Sequence, residues 1–190
     1  MKQDLQRILL STVRPLLLIF VLYILKILES GLHTDFSHLG IYPMNTRGIA
    51  GILTHPLIHS DFSHLLANTL PLFFLSWCLF FFYRGIAGRI FFIIWVGAGI
   101  LTFIIGKPGW HIGASGLVYG LAFFLFFSGA LRKHTPLIAI SLLVTFIWRN
   151  CVEYDALFLT LQHVLGRTFE RSNNGGSLCL CLQESWSAAA

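Results

Sequence analysis

The sequence predicts an all-α protein, a polytopic bundle of transmembrane helices. Of its 190 residues 56% are hydrophobic and 11% are charged, and the mean hydropathy is +0.76. A soluble globular domain carries about a quarter charged residues, and a disordered chain has few apolar ones, so both classes are excluded. The net charge of +5 does not indicate nucleic-acid binding, because the basic residues are scattered between apolar runs instead of forming one patch.

Four apolar runs are candidates for spanning helices, each of which needs about 20 mostly apolar residues. They cover residues 14–28, 64–83, 89–105 and 115–131. The first is short, but Arg14 and Lys26 can extend it by reaching toward the two interfaces. A fifth run follows Pro136 and is interrupted at Arg149, which leaves it too short to cross. The sequence therefore predicts five helices in a membrane domain of residues 1–147.

The basic residues predict the orientation of these helices. Clusters of Lys and Arg precede the first run, separate the second from the third, and separate the fourth from the fifth. If the helices alternate in direction, all three clusters lie on one side, which the positive-inside rule makes cytoplasmic. The amino terminus is then cytoplasmic, and a bacterial inner membrane is the expected location. The opposite face holds residues 29–63, which contain most of the polar side chains suited to chemistry.

The fourth run opens with a serine between small residues, in Gly113-Ala114-Ser115-Gly116. Small residues in membrane helices usually serve close packing. The motif also differs from the Gly-x-Ser-x-Gly elbow of soluble hydrolases, because Leu117 stands where the last glycine belongs. By itself this motif does not separate a packing role from a catalytic one.

A second polar cluster lies at the head of the second run. His64 and Asn68 are four residues apart, so on a helix they share one face. Polar side chains inside a membrane are costly and mark candidate sites, although this pair could also simply tie helices together. One chemical role is available to them: with the backbone N–H of Ser115 they could stabilise the oxyanion formed when a serine attacks a peptide.

Together these motifs and the helix order resemble the rhomboid family of intramembrane serine proteases, over residues 14–146. The resemblance implies that Ser115 is the nucleophile and that His64 and Asn68 bind the oxyanion. It implies supporting roles for Gly113, Gly116 and Tyr119, with Tyr119 packed against the catalytic histidine. It also suggests that the histidines at positions 55 and 59 shape a water-accessible mouth, where a structural or solvated role is the alternative.

The general base that the resemblance requires is missing. Rhomboids pair the serine with a histidine on a sixth helix, in a context like Gly-His-x-x-Gly. Residues 148–190 contain no apolar run long enough to span. His163 is their only histidine, and no glycine precedes it.

A shift of reading frame offers an explanation for the missing helix. When residues 146–156 are back-translated and read one base later, permitted codons give Leu-Tyr-Gly-Gly-Ile-Val-Trp-Asn-Met-Met, which continues the fifth helix. The same shift over residues 162–176 gives a stretch containing Gly-His-Leu-Ser-Gly. We therefore expect residues 148–190 to be a non-native tail, in which Cys179 and Cys181 are accidental neighbours. A genuine divergent tail is the alternative.

The sequence thus predicts a serine endopeptidase that cleaves transmembrane or juxtamembrane segments of membrane proteins, in a chain that is inactive as written because it lacks the base. The alternative is a non-catalytic relative that binds client transmembrane helices. An ion or proton carrier is a third class, but its polar residues would extend across the membrane depth. No cofactor is expected. The spacing of the histidines and cysteines predicts no metal site and no disulfide framework, and the expected partners are membrane-protein substrates and the lipid bilayer.

Overall fold

The computed structural model describes residues 2–146 as a bundle of helices, and these residues fall within one compact unit. The predicted boundary at residue 147 and the tail 148–190, with His163, Cys179 and Cys181, lie outside the described residues. Within the described part there is no strand, only an isolated bridge between Ile41 and His111. The all-α, polytopic prediction is confirmed.

Six α-helices follow one another along the described chain. They are α1 (Lys2–Gly31), the single turn α2 (Gly51–Thr54), α3 (Phe62–Phe82), α4 (Ala87–Ile105), α5 (Ser115–Leu131) and α6 (Thr135–Phe146). Three short 3-10 turns, Ser37–Leu39, Thr46–Gly48 and His55–Leu57, lie in the long connection between α1 and α3. The five longer helices correspond to the five predicted apolar runs.

Three of the described helices are long and apolar enough to span a membrane: residues 8–31 of α1, all of α3 and all of α4. The sequence predicted a fourth, but α5 has 17 residues, which gives it a length of about 25 Å at 1.5 Å per residue. The hydrocarbon core of a bilayer is about 30 Å thick. By length alone α5 is therefore shorter than the hydrocarbon core.

The core of the bundle lies between α3 and α5. Half of the most apolar window of α3 is buried, against 6% of that of α4, so α3 is an interior helix and α4 faces outward. The core leucines recur at helical spacing on both helices, as expected for two apolar stripes in contact; they are Leu65, Leu72, Leu75 and Leu79 on α3 and Leu117, Leu121 and Leu125 on α5. This packing brings the amino-terminal ends of α3 and α5 to the same end of the bundle.

Candidate active site

The amino terminus of α3 is fixed by a side-chain cap. Asp61 has extended backbone geometry, and its Oδ1 accepts a hydrogen bond from the backbone N–H of His64 at 2.8 Å. Its Oδ2 accepts one from the hydroxyl of Ser60 at 2.6 Å. The Ser60 hydroxyl, followed by the His64 N–H, lowers the pKa of Asp61 below its usual range. The cap sets where α3 begins and therefore where His64 projects.

Asn68 lies one turn after His64, as the spacing predicts. Its Nδ2 donates to the backbone carbonyl of His64 at 2.9 Å, and the side chain is 1% exposed. Within the described part of the chain its Oδ1 is buried without a hydrogen-bond partner. An amide group has two N–H hydrogens, and the hydrogen bond to His64 uses one of them inside the helix.

Gly113 brings the serine motif to α3. Its φ of +103° is a conformation that favours glycine. A Cβ added there would lie 2.6 Å from Cε1 and 2.8 Å from Nε2 of His64, so the imidazole of His64 rests directly against this glycine. Ser115 follows two residues later as the first residue of α5 and is half-buried. The two motifs, separated in sequence, therefore meet at one place.

His59 makes a second link between these segments. The backbone N–H of Ala114 donates to its Nε2 at 3.3 Å, and its ring stacks edge to face on that of His64 with centroids 5.1 Å apart. The side chain is 2% exposed. Burial, followed by the neighbouring His64, lowers the pKa of His59 to about 4. His59 is therefore neutral at pH 7, as its acceptor role toward Ala114 requires.

His55 is buried behind the same segment. Its Nδ1 donates to the carbonyl of Gly51 at 2.9 Å, and its own carbonyl accepts the N–H of Gly113 at 2.9 Å. Burial lowers the pKa of His55. The sequence allowed His55 and His59 a place at a water-accessible mouth, but both are buried and hold the backbone of residues 113–114 in place.

Ser115 occupies the amino-terminal end of a helix without a side-chain cap. Ala114 stands at the cap position and offers no hydrogen-bonding side chain. The first N–H groups of a helix have no partner inside it, and they lie at the positive end of the helix dipole. The N–H of Ser115 is one of these groups, so the position suits a negatively charged atom.

The two supporting residues on α5 have different surroundings. Gly116 faces α4, and a Cβ added to it would make an ordinary contact of 3.4 Å with Ala98. Tyr119, one turn after Ser115, is 42% exposed. It borders a cavity of about 220 Å³ between α5 and α6 whose other lining residues are Ala122, Phe123, Phe126, Ser141, Leu142 and Thr145. The histidine against which Tyr119 was expected to pack is not among the described residues.

The sequence analysis missed a buried ion pair next to residues 59 and 60. The Nζ of Lys26 lies 2.7 Å from Oε2 of Glu29 and also donates to the carbonyls of His59 and Ser60. Lys26 was expected to reach toward the interface, but it is 9% exposed. The available signal was a pair of opposite charges three residues apart in an apolar helix, where charges are costly and normally have a partner.

The family model for the Rhomboid domain matches residues 46–166. The chain belongs to the rhomboid family. Ser115, His64, Asn68 and Gly113 lie inside the matched range, whereas Lys26 and all of α1 precede it. The last part of the range, residues 147–166, lies outside the described residues.

Curated relatives of this rhomboid occur in mycobacteria. An uncharacterised protein of Mycobacterium tuberculosis and one of Mycobacterium bovis are each 36% identical over 161 residues, which cover 77% of this chain and 61% of the relative. An uncharacterised protein of Mycobacterium leprae is 30% identical over 159 residues, covering 77% and 58%. The chain thus spans about three-fifths of the length of these relatives. No solved structure matches it significantly.

Family membership and the apolar helices make this rhomboid an integral membrane protein. Within residues 2–146, as far as they are described, no group of three or more His, Cys, Asp or Glu side chains is arranged to hold a metal ion. The structure thus brings the imidazole of His64 against Gly113, two residues before the uncapped amino-terminal end of α5 at Ser115.

Proposed function

We propose that this rhomboid is built as a serine endopeptidase that cleaves transmembrane or juxtamembrane segments of membrane proteins, with Ser115 as the nucleophile. The observation that carries the proposal is the close contact of the His64 ring with Gly113, two residues before Ser115. It places an imidazole, which donates from Nε2 when protonated there, beside the uncapped start of α5. A polar ring next to the serine is useful for acyl transfer, whereas a motif that serves only helix packing does not require a polar ring there.

In the proposed reaction the Oγ of Ser115 attacks the carbonyl carbon of the scissile peptide bond. The carbonyl oxygen becomes an oxyanion, which accepts hydrogen bonds from His64, from Asn68 and from the backbone N–H of Ser115. Removing one such donor typically lowers the rate by about 100- to 1,000-fold. A position of Ser115 below the membrane surface, within reach of a transmembrane substrate, is part of this proposal.

The proton of Ser115 has to pass to a base, and the neighbouring histidines are occupied. The Nε2 lone pair of His59 already accepts the N–H of Ala114, and His64 is assigned to the oxyanion. We therefore propose that the base belongs beside Tyr119, which borders the cavity between α5 and α6. A sixth helix in the restored reading frame would supply it, so the chain as written is inactive.

A fluorophosphonate probe tests both parts of this proposal, because it reacts with an activated serine. The matched set is the chain as written, the chain with residues from 148 onward in the restored frame, and the restored chain with Ser115→Ala. We expect labelling of the restored chain only, with the chain as written slower by several orders of magnitude. Labelling that persists in the Ser115→Ala variant would overturn the assignment of the nucleophile.

Two further results bear on the alternatives. Resequencing the codons for residues 145–149 decides whether the recorded frame is correct, and a confirmed frame would contradict the proposed frame shift. If the folded, restored chain is not labelled but retains a bound transmembrane helix, the non-catalytic binding role replaces the protease. We further propose a bacterial inner membrane, with the amino terminus in the cytoplasm, as the location of this rhomboid.

A further inference from the structure

Ser60 stands between a carboxylate and an imidazole. Its Oγ lies 2.6 Å from Oδ2 of Asp61 and 3.2 Å from Nδ1 of His64. A hydroxyl has one hydrogen to donate, and an ionised carboxylate can only accept. The hydrogen of Ser60 therefore goes to Asp61. Ser60 Oγ must then accept from His64, which requires the proton of that imidazole to be on Nδ1.

The orientation of the ring gives the second observation. The Cβ position of Gly113 is 2.8 Å from Nε2 of His64 but 3.7 Å from its Nδ1. The Nε2 and Cε1 edge thus faces the glycine that leads to Ser115, while Nδ1 faces Ser60. The two ring nitrogens have different neighbours, so the tautomer decides which of them can donate toward the serine.

We propose that Asp61, acting through Ser60, is a positioning residue that holds His64 in the Nδ1–H tautomer. Asp61 does so while its other oxygen caps α3 through the N–H of His64. One carboxylate thereby sets both the place of the imidazole and the location of its proton. This role is separate from helix capping, which an asparagine performs as well as an aspartate.

The catalytic meaning of this arrangement rests on the proposed function. With the first proton on Nδ1, the Nε2 of neutral His64 is an acceptor and cannot donate to an oxyanion. Donation from Nε2 requires a second proton, taken from solvent, so the oxyanion-binding form of His64 is the imidazolium. The Asp61 carboxylate, one hydroxyl away, supplies the compensating charge. The nearby Lys26 is paired with Glu29, and the adjoining His59 is held neutral.

The test is the tautomer of His64, read by two-bond 1H–15N correlation spectra of the full chain in lipid nanodiscs at pH 7.5. The chain carries 15N-labelled histidine, and the signals lost in a His64→Gln variant identify the residue. We expect the Nδ1–H pattern in the unmodified chain. An Nε2–H pattern would overturn the proposal.

Asp61→Asn separates the proposed role from capping. The asparagine keeps an oxygen for the N–H of His64, but its amide can donate to Ser60 Oγ, which releases the Ser60 hydrogen to His64. We expect the tautomer ratio to change at least tenfold toward Nε2–H, with an unfolding midpoint close to that of the unmodified chain. An unchanged tautomer in this variant would overturn the proposal.

Two further variants guard against an indirect effect. Ser60→Thr keeps the hydroxyl and should retain the Nδ1–H pattern, whereas Ser60→Ala should lose the preference.

Asp35→Asn is the matched control, because Asp35 also accepts a backbone N–H, from Ser37 at 2.8 Å, but serves another turn. A tautomer change in Asp35→Asn equal to that in Asp61→Asn would overturn the proposal. These tautomer measurements do not depend on labelling of Ser115. A failure of the protease assignment would appear only in the fluorophosphonate experiment, so the two failures can be distinguished.

Discussion

The Nζ of Lys26 lies 3.0 Å from the backbone carbonyl oxygen of His59 and donates a hydrogen bond to it. It also donates to the carbonyl of Ser60 at 2.9 Å and pairs with Glu29 at 2.7 Å. The second carboxylate oxygen of Glu29 accepts the N–H of Phe36 at 2.9 Å. The end of α1 thus holds the two peptides that immediately precede the Asp61 cap, and through them the position of α3 and its histidine.

Lys26→Met is expected to destabilise the protein strongly. It leaves the carboxylate of Glu29, which is 7% exposed, without its counter-charge, and the carbonyls of His59 and Ser60 lose their donor. Breaking a buried pair by removing one partner costs about 3–5 kcal/mol. The measurement is the free energy of unfolding in detergent, followed by tryptophan fluorescence.

The matched control for this change is the double variant Lys26→Met with Glu29→Met, which removes the stranded charge as well. It should lose less stability than the single variant, because replacing a whole buried ion pair by apolar residues is often close to neutral. A single variant that stays within about 0.5 kcal/mol of the unmodified protein, the range of ordinary surface changes, would contradict a holding role for Lys26.

Gly113→Ala is expected to disturb the candidate site, whereas Gly116→Ala is not. At position 113 the new Cβ meets the His64 ring at 2.6 Å, and the backbone has φ +103°. Such strain costs on the order of 1–3 kcal/mol. At position 116 the new Cβ makes an ordinary contact with Ala98. Unfolding midpoints of the two variants provide the comparison, and equal losses would argue against the close contact of Gly113 with His64.

We expect the stability of the protein to decrease as the pH is lowered from about 6.5 to about 4, because of His59. Burial lowers its folded pKa from 6.5 to about 4, so in this range the unfolded chain binds a proton that the folded chain does not. The stabilisation is complete above the unfolded pKa and is lost as the pH falls through the folded one. A full shift of this size corresponds to roughly 3 kcal/mol. The pKa of His55 is lowered by burial too and adds in the same direction.

Unfolding curves at half-unit steps of pH check this expectation. His59→Gln keeps an oxygen that can accept the N–H of Ala114 but does not titrate, so its stability should vary less across the window. His33→Asn, at an exposed position, is the control and should follow the unmodified protein. A pH dependence that is identical in His59→Gln and the unmodified protein would show that His59 does not cause it.

The helices could be predicted from the sequence because hydropathy and helical spacing are local properties. The run 115–131 coincides with α5, and the third run starts two residues inside α4. The first run was too short because it was bounded at the charge of Arg14, whereas the apolar stretch of α1 begins at Ile8 and the helix itself at Lys2. The spacing of His64 and Asn68 likewise placed them correctly on one helix face.

The contacts that assemble the candidate site could not be predicted, because they join segments that are distant along the chain. The positive φ of Gly113 and its contact with His64 depend on how the loop before α5 crosses α3. Two of the three partners of Lys26 are backbone carbonyls, which carry no sequence signal. Local patterns therefore identify the reactive side chains, but not the groups that hold them.

The orientation of the bundle makes a final prediction. The Lys and Arg residues in the first half of α1, and those around the connection from α3 to α4, predict a cytoplasmic position for these segments by the positive-inside rule. Gly85, which has open space around it, then lies inside the cell, and the exposed Pro108 before α5 lies outside. The two positions are tested by the substitutions Gly85→Cys and Pro108→Cys, neither of which alters a charge. Cys151, Cys179 and Cys181 are changed to serine, while Cys78, 1% exposed, remains as an unreactive reference.

A membrane-impermeant maleimide applied to intact spheroplasts distinguishes the two faces. We expect Pro108→Cys to be labelled at once and Gly85→Cys only after permeabilisation, with at least a tenfold difference between them. Because Ser115 lies seven residues after Pro108, the same result assigns the candidate nucleophile to the outer half of the membrane. The reverse pattern would place Ser115 toward the cytoplasm and exclude substrates whose cleavable segments lie near the outer surface.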